Sequence, residues 1–212
     1  MAKLIAFDLD GTLIDSRHDL AGAVNYMRAS MGLEPLETAR LVKFLGDGLA
    51  SFVYRSIADA DVDFDTALER TKRFYADHLV ETTKLYPGVA ETLQDLRSKG
   101  IKLAVVSNKN SEYCRRILNA LNVESFFSDI IGGDGDYPLK PEPDALNALR
   151  EKYALSAADC WMVGDHYTDL EAGRRAGFRR IMVTYGFGDT QNETPDYTAA
   201  SFSEAATIIS GF

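Results

Sequence analysis

The stretch KLIAFDLDGTLIDS, Lys3 to Ser16, sets the apolar run Leu4-Ile5-Ala6-Phe7 directly before two aspartates, Asp8 and Asp10, that flank a single leucine. An apolar run this short reads as a strand buried on both faces. Side chains alternate along extended chain, so Asp8 and Asp10 project to one side and Leu9 to the other. Both lie at the carboxyl end of the strand, which is where open parallel sheets bind ligands. Two carboxylates about 4 Å apart at an effective dielectric near 20 repel by roughly 4 kcal/mol, so the sequence predicts positive charge between them.

Similar runs recur at Ile101 to Val106, Asp129 to Ile131, Cys160 to Val163 and Ile181 to Val183. Between them VAETLQDLRSKG, EYCRRILNALNV, EPDALNALREKYAL and DLEAGRRAG have helical spacing, with stops at Gly100 and Gly177. Strand and helix in alternation predict an α/β fold with a parallel sheet covered on both faces. The region from Ser16 to Lys84 breaks this rhythm. It carries a helical stripe of Leu20, Val24, Met27 and Met31, then DTALERTKRFYADHLVETTK, and no convincing strand. The sequence therefore predicts a sheet domain of residues 1–15 and 85–212 interrupted by an all-helical insertion of residues 16–84, with re-entry at Leu85-Tyr86-Pro87-Gly88.

A third acid arrives as the first two did, because CWMVGDHYTDLEAG places Asp165 at the end of an apolar run and Asp169 one helical turn later. Each strand-end aspartate alone is an ordinary helix cap; together they form a hard-oxygen set that suits Mg²⁺. IKLAVV ends in Ser107-Asn108-Lys109 ahead of a helix, so a hydroxyl and backbone N–H groups meet in a seat for phosphate. Lys140 directly precedes Pro141, which restricts its backbone at the head of the next helix and fixes a cation there. Singly, Ser107 reads as a cap and Lys140 as a solvated lysine; their order after the aspartates makes the set.

The 212 residues are 46% hydrophobic and 26% charged, enough for a packed core and without the mark of disorder. Thirty-two acidic against 23 basic residues give a formal charge of -9, which disfavours nucleic acid and anionic membrane as partners. Cys114 and Cys160 have neither metal-ligand spacing nor the density of a disulfide framework, and no leader or membrane-length run is present, so the reading is cytoplasmic.

Four motifs, DLDGT at Asp8 to Thr12, VVSNK ending at Lys109, GGD with LKPEP around Lys140, and GDHYTD from Gly164 to Asp169, occur in the order of the haloacid dehalogenase superfamily. The chain resembles its phosphoglycolate phosphatase-like branch with a helical cap. The resemblance implies a three-layer Rossmann-like core and a Mg²⁺-dependent phosphatase acting through an aspartyl-phosphate. It implies Asp8 as nucleophile, Asp10 as general acid/base, Thr12 and Ser107 as phosphoryl hydrogen-bond partners, and Lys140 as the cation that neutralises transition-state charge. It assigns Mg²⁺ to Asp8, the backbone carbonyl of Asp10 and Asp165, with Asp169 orienting Lys140 or metal-bound water. Asp10 favours phosphoryl transfer over dehalogenation, and Thr12 sets the chain apart from the sugar-phosphate mutase branch.

Specificity is expected in the insertion, which would close over the site. RLVKFLGDGLASFVYR supplies the candidates: a glycine turn at Gly46-Asp47-Gly48, with Arg40 and Lys43 in reach of a substrate carboxylate, beside Asn108 and Lys109 from the sheet domain. His166 reads as an exposed loop residue near the site. The leading expectation is a small phosphorylated metabolite, 2-phosphoglycolate first, for a monomer or homodimer. Pyrophosphate and sugar phosphates are close rivals and a phosphomutase a distant one. A phospho-acceptor signalling domain has a similar aspartate, hydroxyl and lysine set, but Asp10 would hydrolyse the acyl phosphate that such a domain preserves. A non-catalytic binding protein gains no support, since every expected polar group is present.

Overall fold

The computed structural model describes residues 3–211. Six strands form one parallel sheet: β1 Leu4–Phe7, β4 Lys102–Val106, β5 Asp129–Ile131, β6 Cys160–Gly164, β7 Arg179–Val183 and β8 Tyr197–Ala199, in the order β5-β4-β1-β6-β7-β8. The first strand in sequence is thus central, with Leu4 opposite Lys102 on one side and Cys160 on the other. Strand order reverses at β1, so the loops after β1, β4 and β6 meet at one crevice.

Alternation along the strands sorts the core into two layers. Ile5, Phe7, Leu103, Val105, Trp161 and Val163 face helices α5 Val89–Ser98, α6 Ser111–Ala120 and α9 Phe202–Ser210. Leu4, Ala6, Ala104, Val106 and Met162 face α7 Asp144–Lys152 and α8 Tyr167–Ala176. Cys114 and Cys160 are buried free thiols in these layers. No helix among the described residues is long and apolar enough to cross a membrane.

The chain leaves and rejoins the sheet through a small antiparallel ribbon, β2 Ile14–Asp15 against β3 Lys84–Leu85. Between these lie α1 Arg17–Ser30, α2 Thr38–Val42, α3 Leu49–Ser56 and α4 Phe64–Asp77, with no strand among the described residues. Their buried faces, with Leu20, Val24, Met27, Phe52 and Ala67, continue the larger core layer. The ribbon, β8 and α9 are not foreseen from the sequence. Neither two-residue strand of the ribbon carries an apolar run, and β8 is an edge strand whose burial is confined to Ala199.

One buried acid ties the ends of the helical segment together. Asp19, in the first turn of α1, accepts N–H bonds from Glu81, Thr82 and Thr83 and hydroxyl bonds from Thr82 and Thr83. Burial alone would raise its pKa, but those hydrogen bonds outweigh it and hold the carboxyl below its ordinary value. Asp19→Ala strands these donors and is expected to destabilise the protein by about 2 kcal/mol. Urea unfolding reads this directly; a wild-type midpoint would show that water replaces the carboxylate without cost.

Candidate active site

The site forms where β1, β4 and β6 end. Asp8 follows β1, Ser107 follows β4 and Asp165 follows β6, while Lys140 enters from the loop between β5 and α7. Asp8, Asp10, Ser107, Asn108, Lys109, Lys140 and Asp165 line one cavity of about 90 Å³, together with Gly46 and Gly48 of the helical segment.

Each aspartate of the opening motif has its own lysine, which answers the predicted repulsion. Lys140 Nζ lies 2.8 Å from Asp8 Oδ1 and 2.5 Å from Asp169 Oδ1. Lys109 Nζ lies 2.9 Å from Asp10 Oδ1, which also accepts from the Ser16 hydroxyl. Burial works against charge on either lysine, but the aspartates outweigh it and both pKa values rise above the ordinary lysine range. The Ser107 hydroxyl stays on the cavity wall, accepting only a long 3.4 Å bond from the Lys109 N–H. The helix starts within one residue of the segment read from the sequence: α6 begins at Ser111 and is capped by Asn110, so Ser107 is not its cap.

Carboxylate oxygens of Asp8, Asp165 and Asp169 lie within 4.8 Å of one another, all buried. Burial raises the pKa of Asp8, against the pull of Lys140; burial with the charges of Asp8 and Asp169 pushes Asp165 up to about 8. The donors that reach Asp165 are neutral: the Thr12 hydroxyl at 3.2 Å and the N–H groups of Phe187 and Gly188 at 2.9 and 2.8 Å. Asp169 is already engaged, by Lys140 and by the His166 N–H at 3.1 Å. Asp8 and Asp165 thus present carboxyl oxygens with too little positive charge beside them to favour ionisation, a donor set that fits a hard divalent cation. Asp10 stands apart from this cluster, its carboxylate turned to Lys109 and Ser16.

The structure corrects several expectations drawn from the sequence. Thr12 is fully buried and off the cavity wall, its hydroxyl spent on Asp165 rather than on a phosphoryl oxygen. Arg40 and Lys43 are exposed on and just after the five-residue α2, while Leu41 alone turns inward; neither reaches the cavity. Asp47 does not line it either. Its carboxylate takes Arg55 at 2.5 Å and the Tyr167 hydroxyl at 2.9 Å, latching the glycine turn to α8. Asn108 does line the cavity, but its amide clamps the loops: Nδ2 donates to the carbonyls of Gly46 and Lys140, and Oδ1 accepts the Lys140 N–H. His166 is half-buried rather than exposed. It caps α8, with burial lowering its pKa, and its ring packs on Gly46, where an added Cβ would collide with the imidazole.

Two contributors are not evident from the sequence. Tyr75 of α4, 1% exposed, places its hydroxyl 2.5 Å from Lys109 Nζ. The signal was its place one and two turns beyond Thr71 and Ala67, a hydroxyl ending a buried stripe. The loop after β7 carries the N–H groups on Asp165, and its signal was Gly186 and Gly188 at a strand end. A Cβ on Gly186 would collide with the Asp165 side chain, so only glycine allows that approach.

Residues 5–183 match the family described as haloacid dehalogenase-like hydrolase. A phosphoglycolate phosphatase of Chromobacterium violaceum is 38% identical over 95% of this chain and 94% of its own length. One from Aquifex aeolicus is 34% identical over 98% and 96%. The crystal structure of a predicted phosphoglycolate phosphatase from Haemophilus somnus superposes with a TM-score of 0.93 at 30% identity, covering 98% of this chain and 97% of that one.

Proposed function

The chain belongs to the haloacid dehalogenase-like hydrolases, and we propose that within this family it is a Mg²⁺-dependent phosphatase of a small phosphorylated metabolite, 2-phosphoglycolate. One observation carries the reading: two carboxylates on one cavity wall have different partners and so suit different tasks. That Asp8 lies beside Asp165 and is held by Lys140 supports a role as nucleophile; that Asp10 is held by Lys109 and Ser16 away from that cluster supports a role in proton transfer.

In the first step an Asp8 carboxylate oxygen forms a bond to phosphorus as the bond to the leaving oxygen breaks. Asp10, which enters this step carrying a proton taken up from solvent, gives that proton to the leaving oxygen. Asp10 then takes a proton from water, the water oxygen attacks phosphorus, and the Asp8–phosphorus bond breaks to return carboxylate and release phosphate. Ser107 donates to a phosphoryl oxygen and Lys140 offsets the charge that gathers on it. Mg²⁺ would be held by Asp8, the Asp10 carbonyl and Asp165; when bound, it offsets the charge of the nucleophile and the phosphoryl group.

Residues 16–84 act as a cap in this proposal, and 1–15 with 85–212 as the catalytic domain. A cavity of about 90 Å³ under the glycine turn supports a small substrate, being well below the ~300–1,000 Å³ of drug-sized sites. The identity of the relatives supports 2-phosphoglycolate in particular. The test is phosphate release with and without Mg²⁺ from 2-phosphoglycolate, pyrophosphate, several sugar phosphates and a nucleoside monophosphate. Metal-dependent turnover with kcat/KM highest on 2-phosphoglycolate is expected; a higher value on any other member reassigns the substrate.

A further inference from the structure

We propose that Lys109 reads a second negative charge on the substrate and that Tyr75, from α4, is the positioning residue that holds it for this task. The inference rests on the phosphatase reading above and adds to it the chemistry of the leaving group.

Among the described residues that line the cavity, the cations are Lys109 and Lys140. Lys140 is shared between two carboxylates, Asp8 and Asp169. Lys109 has one carboxylate, Asp10, and one neutral hydroxyl, that of Tyr75. Each ammonium has three N–H donors and two acceptors here, but the charge of Lys140 is balanced by two carboxylates and that of Lys109 by one, so Lys109 keeps more uncompensated positive charge for a second anion in the cavity. Diverting Lys109 toward a ligand leaves Asp10 Oδ1 with the Ser16 hydroxyl.

The helical segment adds the apolar side chains of Leu20, Leu45, Leu49 and Phe52 to the cavity lining. An anionic leaving group placed there without a cation would bear a large desolvation cost, whereas a neutral alkyl group would not. Arg40 and Lys43 do not reach the cavity, and Arg55 is held by Asp47. Lys109 is therefore the group to distinguish the two kinds of substrate.

Tyr75 fixes where that charge points. Its ring stands edge-on to Tyr113 of α6, 5.7 Å between centroids at 84°, so a rigid aromatic body rather than a flexible chain carries the hydroxyl to Lys109. Because α4 belongs to the segment over the site, the lysine gains this partner only with the segment in place.

The experiment measures kcat and KM, with Mg²⁺, for ethyl phosphate, 2-phosphoglycolate and pyrophosphate on the wild type, Lys109→Met and Tyr75→Phe. Ethyl phosphate and 2-phosphoglycolate share a skeleton and differ by methyl against carboxylate. The wild type is expected to favour a substrate with the second charge. Lys109→Met should shrink that preference by about 30-fold or more, and Tyr75→Phe by about fivefold, chiefly through KM on the charged substrate. Tyr75→Phe keeps the ring and so separates the hydroxyl from packing. Equal losses on ethyl phosphate and the charged substrates in both variants would overturn the proposal, as would a wild-type preference for ethyl phosphate. A preference for pyrophosphate that Lys109→Met removes would support Lys109 while reassigning the substrate. A preference for 2-phosphoglycolate that survives Lys109→Met would keep the substrate and overturn the role of Lys109.

Discussion

Asp8→Asn is expected to lower kcat by about 10⁴-fold or more while the protein stays folded, because the substitution removes the nucleophile and little else. An amide has almost the shape of the carboxylate, and Lys140 keeps Asp169 as its charged partner at 2.5 Å. Stability is expected to hold for a further reason. Asp8 is buried, and burial raises its pKa even against the pull of Lys140. A carboxyl with a raised folded-state pKa binds protons more tightly in the native than in the unfolded chain, so ionising it above the ordinary carboxylate range destabilises the metal-free fold. Asparagine removes that effect. At pH 7 without metal the variant should therefore melt at or above the wild-type temperature. Phosphate release and a melting curve on the same preparation check both halves. Residual turnover above about 1% of wild type would exclude Asp8 as nucleophile.

The same residues show how much the sequence could disclose. The strands that matter for the site were legible, because β1, β4 and β6 are buried on both faces and read as unbroken apolar runs. The polar residues at their ends stood out against those runs, so Asp8, Ser107 and Asp165 were found together. What lies across the chain from them was not legible. Thr12 sits two residues from Asp10, but which oxygen its hydroxyl meets depends on the return of Asp165, 153 residues later. That Arg40 and Lys43 lie off the cavity was not legible because a five-residue helix is too short for its period to declare which face is buried. Tyr75 was passed over because a tyrosine on a helical stripe is ordinarily core, and only the fold brings it to Lys109, 34 residues on.

The largest response to conditions is expected at Asp165, and it separates the metal reading from the fold. Its folded-state pKa stands near 8, through burial and the charges of Asp8 and Asp169, against an unfolded value of 3.8. Between those values the native chain holds a proton that the unfolded chain has released, so without metal the stability should fall as pH rises from about 5 to 8. A divalent cation needs the same oxygen unprotonated. Its apparent affinity should therefore climb with pH, by up to about tenfold per unit, and level off above 8. Mg²⁺ at about 100 times its dissociation constant adds about 2.7 kcal/mol, or roughly 5–10 °C in melting temperature for a chain of this size. Melting curves from pH 5 to 9, in a chelator and in excess Mg²⁺, read both effects. In Asp165→Asn the metal-free decline should flatten and the Mg²⁺ increment vanish, though Thr12 and the two N–H groups of the β7 loop still surround the side chain. An increment that persists in this variant would move the cation away from Asp165. A metal-free stability that rises with pH would mean that the cluster is already neutralised by Lys140, which rather than a metal would then carry the charge of Asp8.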